Sequence, residues 1–126
     1  MAVTYNTTLT NQRLTLVVNA IDAGAGPGIL YIGTTGMASI LATIILTKPC
    51  GVVASRVITF SALPRTDVAA DASGTAAEAR IEDSAGTIIV SGLTVGLAAS
   101  SPDIIINSTT ITIGDIVSLI TATITG

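Results

Sequence analysis

The chain has 126 residues, with 5 basic against 8 acidic side chains, a net charge of −3, only 10 % charged residues and 49 % hydrophobic ones. That length fits one compact domain, and the acidic balance leaves no basic footprint for nucleic acid. With no histidine, no tryptophan, one cysteine and three aromatics (Tyr5, Tyr31 and Phe60), the sequence lacks histidine-based triads, most zinc sites, an internal disulfide framework and stacking platforms for sugars.

In chain order, the first stretch, Ala2 to Thr10, reads as a polar N-terminal arm (about residues 1–10) ahead of a single domain, 1–126. It lacks both the basic start and the apolar run of a secretory signal, so the expectation is assembly in the cytoplasm. A helix follows, because Leu14, Val17, Val18 and Ile21 recur at i, i+3, i+4 and i+7 and form one apolar stripe. Asn11, Thr15, Asn19 and Asp22 occupy its polar face, and Gly24 supplies the stop. The stripe has to be covered, either by the end of the chain's own sheet or by a neighbouring subunit. Gly24-Ala25-Gly26-Pro27-Gly28 is then a loop; a phosphate-binding glycine loop needs a strand before it and a helix after it, and here the order is reversed.

Beyond the loop, β-branched residues cluster between Gly, Pro, Asp and Ser, the pattern of strands. About eight are expected: Ile29 to Ile32, Ile40 to Leu46, Ser55 to Phe60, Val68 to Ala70, Thr75 to Glu82, Thr87 to Ser91, Asp103 to Asn107 and Asp115 to Thr125. The most apolar run, Met37 to Leu46, contains Ser39 and Thr43 and falls well short of the roughly 20 residues a membrane helix requires, despite a mean hydropathy of +0.79. Glu78-Ala79-Arg80-Ile81-Glu82 alternates with period two, and Asp83-Ser84-Ala85-Gly86 has turn composition, so the strands on either side of it form a hairpin. In the last strand Ile120, Ala122 and Ile124 are expected on one face and Thr121, Thr123 and Thr125 on the other. The connections are too short for helical crossovers, which predicts a mainly β fold, an antiparallel jelly-roll-like β-sandwich with one N-terminal helix.

No chemistry-bearing constellation emerges. Cys50 has no histidine to activate it, and Asp67, Asp71, Glu78, Glu82 and Asp83 match no compact ligand loop and read as a solvated face. Catalytic, cofactor and metal sites are therefore expected to be absent. Asn6-Thr7-Thr8 and Asn107-Ser108-Thr109 match the N-glycosylation pattern, which a chain with twenty threonines meets without meaning. So few charges on so apolar a chain instead predict self-association or coverage by a partner. The candidate interface comprises the stripe Leu14, Val17, Val18 and Ile21, the N-terminal arm, and Arg13, Arg56, Arg65 and Arg80, since guanidinium groups are favoured in interface ion pairs.

Three segments occur in the same order as in a family of small tailed-phage and prophage virion proteins, which this chain resembles over nearly its whole length. They are Asn11-Gln12-Arg13-Leu14 running on through Ala20-Ile21-Asp22-Ala23-Gly24 to Gly28, then Asp83-Ser84-Ala85-Gly86-Thr87, then Asn107-Ser108-Thr109-Thr110-Ile111. The family pattern often has an aromatic in the strand before the second segment, where this chain has Glu78 and Ala79. The resemblance implies a capsid decoration or cement subunit on the virion surface, with the major capsid protein and further copies of itself (a dimer or trimer) as partners. A receptor-binding or fibre-like module and a major shell or tail-tube subunit are the alternative virion roles.

Overall fold

The computed structural model describes residues 5–61, 65–100 and 102–125. Helix α1 spans Thr7–Asp22 and starts where the Asn6 side chain accepts a 2.7 Å hydrogen bond from the Leu9 N–H. That cap satisfies one of the orphan amides of the first turn. It also corrects the expected arm: Thr7 to Thr10 are helical, while residues 1–4 lie outside the described residues. Thr10, Leu14, Val18 and Ile21 form the buried face, and Val17 is only partly covered. Beyond the helix Gly24 adopts φ +102°, a left-handed conformation that costs a glycine little. Gly28 is needed for closeness instead, because a Cβ there would run into the Ile21 side chain and the Glu82 carbonyl.

Among the described residues eleven strands follow, where about eight were expected. They are β1 (Ile29–Gly33), β2 (Ile40–Ile45), β3 (Gly51–Ala54), β4 (Val57–Phe60), β5 (Arg65–Asp67), β6 (Gly74–Thr75), β7 (Glu78–Glu82), β8 (Ile88–Gly96), β9 (Ile104–Ile106), β10 (Thr110–Ile111) and β11 (Val117–Thr125). One large sheet runs β2-β1-β7-β8-β9-β11-β4-β3, with β5 also on β11, while β6 and β10 make a separate pair. Leu119 of β11 is paired with Ile106 of β9 and with Arg65 of β5, which puts β5 on the same side of β11 as β4. The sheet thereby curls around its core in a mainly β, sandwich-like fold with one N-terminal helix.

The differences from the expected elements have local causes. Ser55 and Arg56 both take positive φ, 50° and 67°, and make the tight turn of a β3–β4 hairpin, where the expected strand began at Ser55 and none was expected over Gly51–Ala54. Val68 to Ala70 is not a strand: the Asp67 carboxylate accepts from the Ala69 N–H at 3.1 Å and bends the chain away directly after β5. The expected strand Thr75 to Glu82 is split, because Ala76 donates to Thr109 and Ala77 to Gly33 on opposite sides. A bulge between Leu119 and Thr121 shifts the alternation of β11, so Leu119 and Ala122 are buried while Ile120 faces out. Pairing is antiparallel throughout the large sheet except between β8 and β9, which meet in parallel at Val95↔Ile104 and Gly96↔Ile105. No helical crossover is needed for so short a pairing, because Asp103 clasps the intervening loop: its carboxylate accepts from the Thr94 N–H and hydroxyl, both at 3.1 Å.

The core is aliphatic. Ile21, Leu30, Ile32, Leu41, Ile58, Ile81, Ile104 and Leu119 are fully enclosed, and the helix places Leu14, Val18 and Ile21 in the same cluster. Ile21→Ala is expected to lower unfolding free energy by about 3 kcal/mol, the usual cost of an enclosed isoleucine, and Asn6→Ala by about 1 kcal/mol through loss of the cap. Urea denaturation followed by circular dichroism measures both.

Candidate interaction surface

The sequence-derived candidates separate into two groups. Leu14, Val18 and Ile21 are buried at 5 %, 7 % and 0 % exposure against the chain's own sheet. The stripe is thus covered within the chain and is not a docking face, which corrects that expectation; on the helix surface Leu9 and Leu16 are the exposed apolar side chains.

The four arginines are not brought together, and each is engaged locally. Arg13 stacks over the Tyr5 ring at 4.8 Å. Arg56 donates its backbone N–H to Asn11 Oδ1 at 2.9 Å and its Nε to Thr7 Oγ1 at 3.2 Å, fastening the β3–β4 turn to α1. Arg65 Nε donates to the Ile45 carbonyl. Arg80 pairs with Glu82 at 2.8 Å and lies 5.5 Å from the Tyr31 ring centroid, its cross-strand neighbour.

Of the five acids Asp67, Asp71, Glu78, Glu82 and Asp83, all but Glu78 are likewise occupied, so the expected solvated face is only partly one. Glu82 is buried beside Arg80. Asp83 Oδ1 accepts from the Ala85 and Thr87 N–H groups and holds the β7–β8 turn. Asp67 and Asp71 both bond Thr43, through its N–H and its hydroxyl, each at 2.9 Å. Among the described residues no three Cys, Asp or Glu side chains converge to hold a metal ion. Cys50 is buried at 1 % exposure, and its backbone N–H donates to Asp22 Oδ1. Burial, then the nearby Asp22 charge, pushes its thiol from the ordinary 9.0 up to about 12, which makes it a poor nucleophile.

On β3, β4 and β11 the outer face is left to threonine and aliphatic side chains. Cross-strand register places Val52, Thr59 and Thr123 in one row and Ala54, Val57 and Thr125 in the next, across β3, β4 and β11. Val52 is 63 % exposed, and Thr59 and Thr125 are also exposed. On the neighbouring stretch the Thr66 and Ser118 hydroxyls lie 3.4 Å apart, and Val68 and Ile116, one step on in the same register, stand exposed. Among the hollows in the surface of the described residues are two open ones. One, of about 490 Å³, runs between β2 and β5 and is lined by Thr43, Ile45, Arg65, Thr66, Asp67 and Val68; the other, of about 480 Å³, lies beside Asn107, Ser108, Asp115 and Ile116. This arrangement has the makings of a contact surface; it does not assemble a nucleophile with a base. The alternating threonines of the last strand were visible in the sequence, but the row that joins Thr59 to Thr123 was not, because their pairing is set by strand order.

Comparison with known protein families, with curated proteins and with solved structures returned no match.

Native protein is expected to react with a thiol reagent at pH 8 only as fast as it unfolds. Because the folded thiol holds its proton more tightly than the unfolded one, the stability Cys50 contributes should fall as pH rises from about 9 toward 12. In urea titrations the advantage of the wild type over Cys50→Ala should accordingly narrow between pH 8 and pH 11.

Proposed function

We propose that the chain is a structural virion subunit, a capsid decoration or cement protein that binds the outside of an assembled phage head through the major capsid protein and further copies of itself. The observation that carries this reading is the uncharged outer face of β3, β4 and β11, with Val52, Thr59 and Thr123 in one row. About a quarter of the residues of an ordinary soluble domain are charged, whereas this face offers methyl groups, and hydroxyls whose desolvation costs far less than that of a charge. The resemblance to small tailed-phage and prophage virion proteins points the same way. No catalytic step is invoked. A subunit that binds only the assembled lattice stabilises that state by mass action, by RT ln(1 + [L]/Kd), and many copies multiply a modest contact.

Purified protein mixed with shells stripped of it is expected to co-sediment with them and to raise their melting temperature. Thr59→Lys, on the exposed face, should weaken that binding at least tenfold, while Thr15→Lys on the exposed side of α1 should leave it unchanged. Failure to bind heads in any maturation state overturns the proposal, and adsorption of the isolated protein to host cells would favour a receptor-binding module instead.

A further inference from the structure

β3 and β4 form a hairpin that turns at Ser55 and Arg56, β2 precedes it, and β5 begins at Arg65, beyond residues 62–64, which lie outside the described residues. Near the turn the arms are joined by a regular ladder from Ala54↔Val57 to Gly51↔Phe60. Farther from the turn, β2 and β5 lie side by side at Thr43, Ile45, Arg65 and Asp67, but among the described residues no strand pairing joins them. Side chains replace the ladder: Asp67 accepts from the Thr43 N–H, Arg65 donates to the Ile45 carbonyl, and Asp71 accepts from the Thr43 hydroxyl. One backbone bond, Asp71 N–H to the Leu41 carbonyl at 2.8 Å, closes the far end. The gap is the hollow of about 490 Å³, and its rims carry Ile45 and Val68 at 53 % and 75 % exposure.

Every other neighbour along the large sheet is joined by backbone pairing, including the strands that flank this gap. Hydrogen bonds to charged side chains are worth about 1.5–3 kcal/mol each, less where water competes for the partners, and of the three side-chain bonds here only that of Asp67 is part-buried. The free energy needed to part β2 from β5 is therefore below that of global unfolding.

We propose that the β2–β5 seam is a latched gate: Arg65 and Asp67 hold the curled sheet shut, and the sheet opens along this line while the rest of the molecule stays folded. Opening frees the Thr43 N–H and the Leu41 and Ile45 carbonyls on one edge of β2. That is the unpaired edge which strand addition requires. The gate follows from the hydrogen-bond pattern alone and is independent of any role on a phage head.

Amide hydrogen exchange by NMR on the full chain tests it. The amides of Thr43 and Asp71 are expected to exchange at least 100-fold faster than that of Ile81, in a strand paired on both sides, and with little dependence on low urea concentrations. Arg65→Ala and Asp67→Ala, made separately, should each accelerate exchange at Thr43 and Asp71 at least fivefold and leave Ile81 within twofold. The gate is refuted if Thr43 and Asp71 exchange in step with Ile81 in the wild type, or if the substitutions accelerate all three amides equally.

Discussion

Backbone hydrogen bonding is the demand that the few polar side chains of this protein are arranged to meet. Asp22, Asp67, Asp83, Asp103 and Asp115 each accept from a main-chain N–H, and Asn6, Asn11 and Asn107 do the same. A sheet of short strands interrupted by turns exposes many amides that no ladder reaches, and leaving one buried without a partner costs about 1–3 kcal/mol. A carboxylate is a strong acceptor for such a group. Among the described residues no buried side-chain nitrogen or oxygen lacks a partner.

The same economy closes the two ends of the sheet. Edge strands invite pairing with other chains, and proteins commonly guard them with lysine or proline. Here β3 has α1 packed alongside, anchored at one end by Asn11 on the Arg56 N–H and at the other by Asp22 on the Cys50 N–H. β2 is closed by Asp67, Asp71 and Arg65. Charge placed at edges and turns, and on β7 at Glu78, Arg80 and Glu82, is absent from the outer face of β3, β4 and β11, which is left to threonine, valine and alanine. The neutrality of that face is thus a consequence of how the fold is completed as well as a property of the surface.

What could be read from the sequence follows the range of the interactions. The helix stripe at Leu14, Val18 and Ile21, the stop at Gly24 and the β7–β8 hairpin around Asp83 depend on residues within a few positions of one another, and periodicity or turn composition exposes them. The β3–β4 turn was hidden because Ser55 and Arg56 adopt positive φ without the glycine or asparagine that usually marks such a turn. Arg56 is held there by Asn11, 45 positions away in the chain. Ile120 was assigned to the wrong face because a bulge is a property of two strands, and only β9 reveals it. The latch at Thr43 joins residues 24 apart, so Asp67 looked like one acid among several. Of the candidate interface, the stripe satisfied the right pattern but was claimed by the chain's own sheet.

Neutrality also bears on the proposed role, because a repeated lattice multiplies each surface charge by the number of copies. A lysine or glutamate on the contact face faces its own image or a fixed partner at every site, and an imperfect pairing is then repeated hundreds of times over; desolvating charges in an interface is at best even against a hydrophobic alternative. Threonine presents a methyl group to an apolar neighbour and keeps a hydroxyl that can turn toward either a donor or an acceptor. A face such as Val52, Thr59 and Thr123 therefore tolerates small differences in geometry from one lattice position to the next, which a charged face, with its fixed sign, does not. In the proposed role copy number would offset weak individual contacts, and the scarce carboxylates stay where the chain's own backbone needs them.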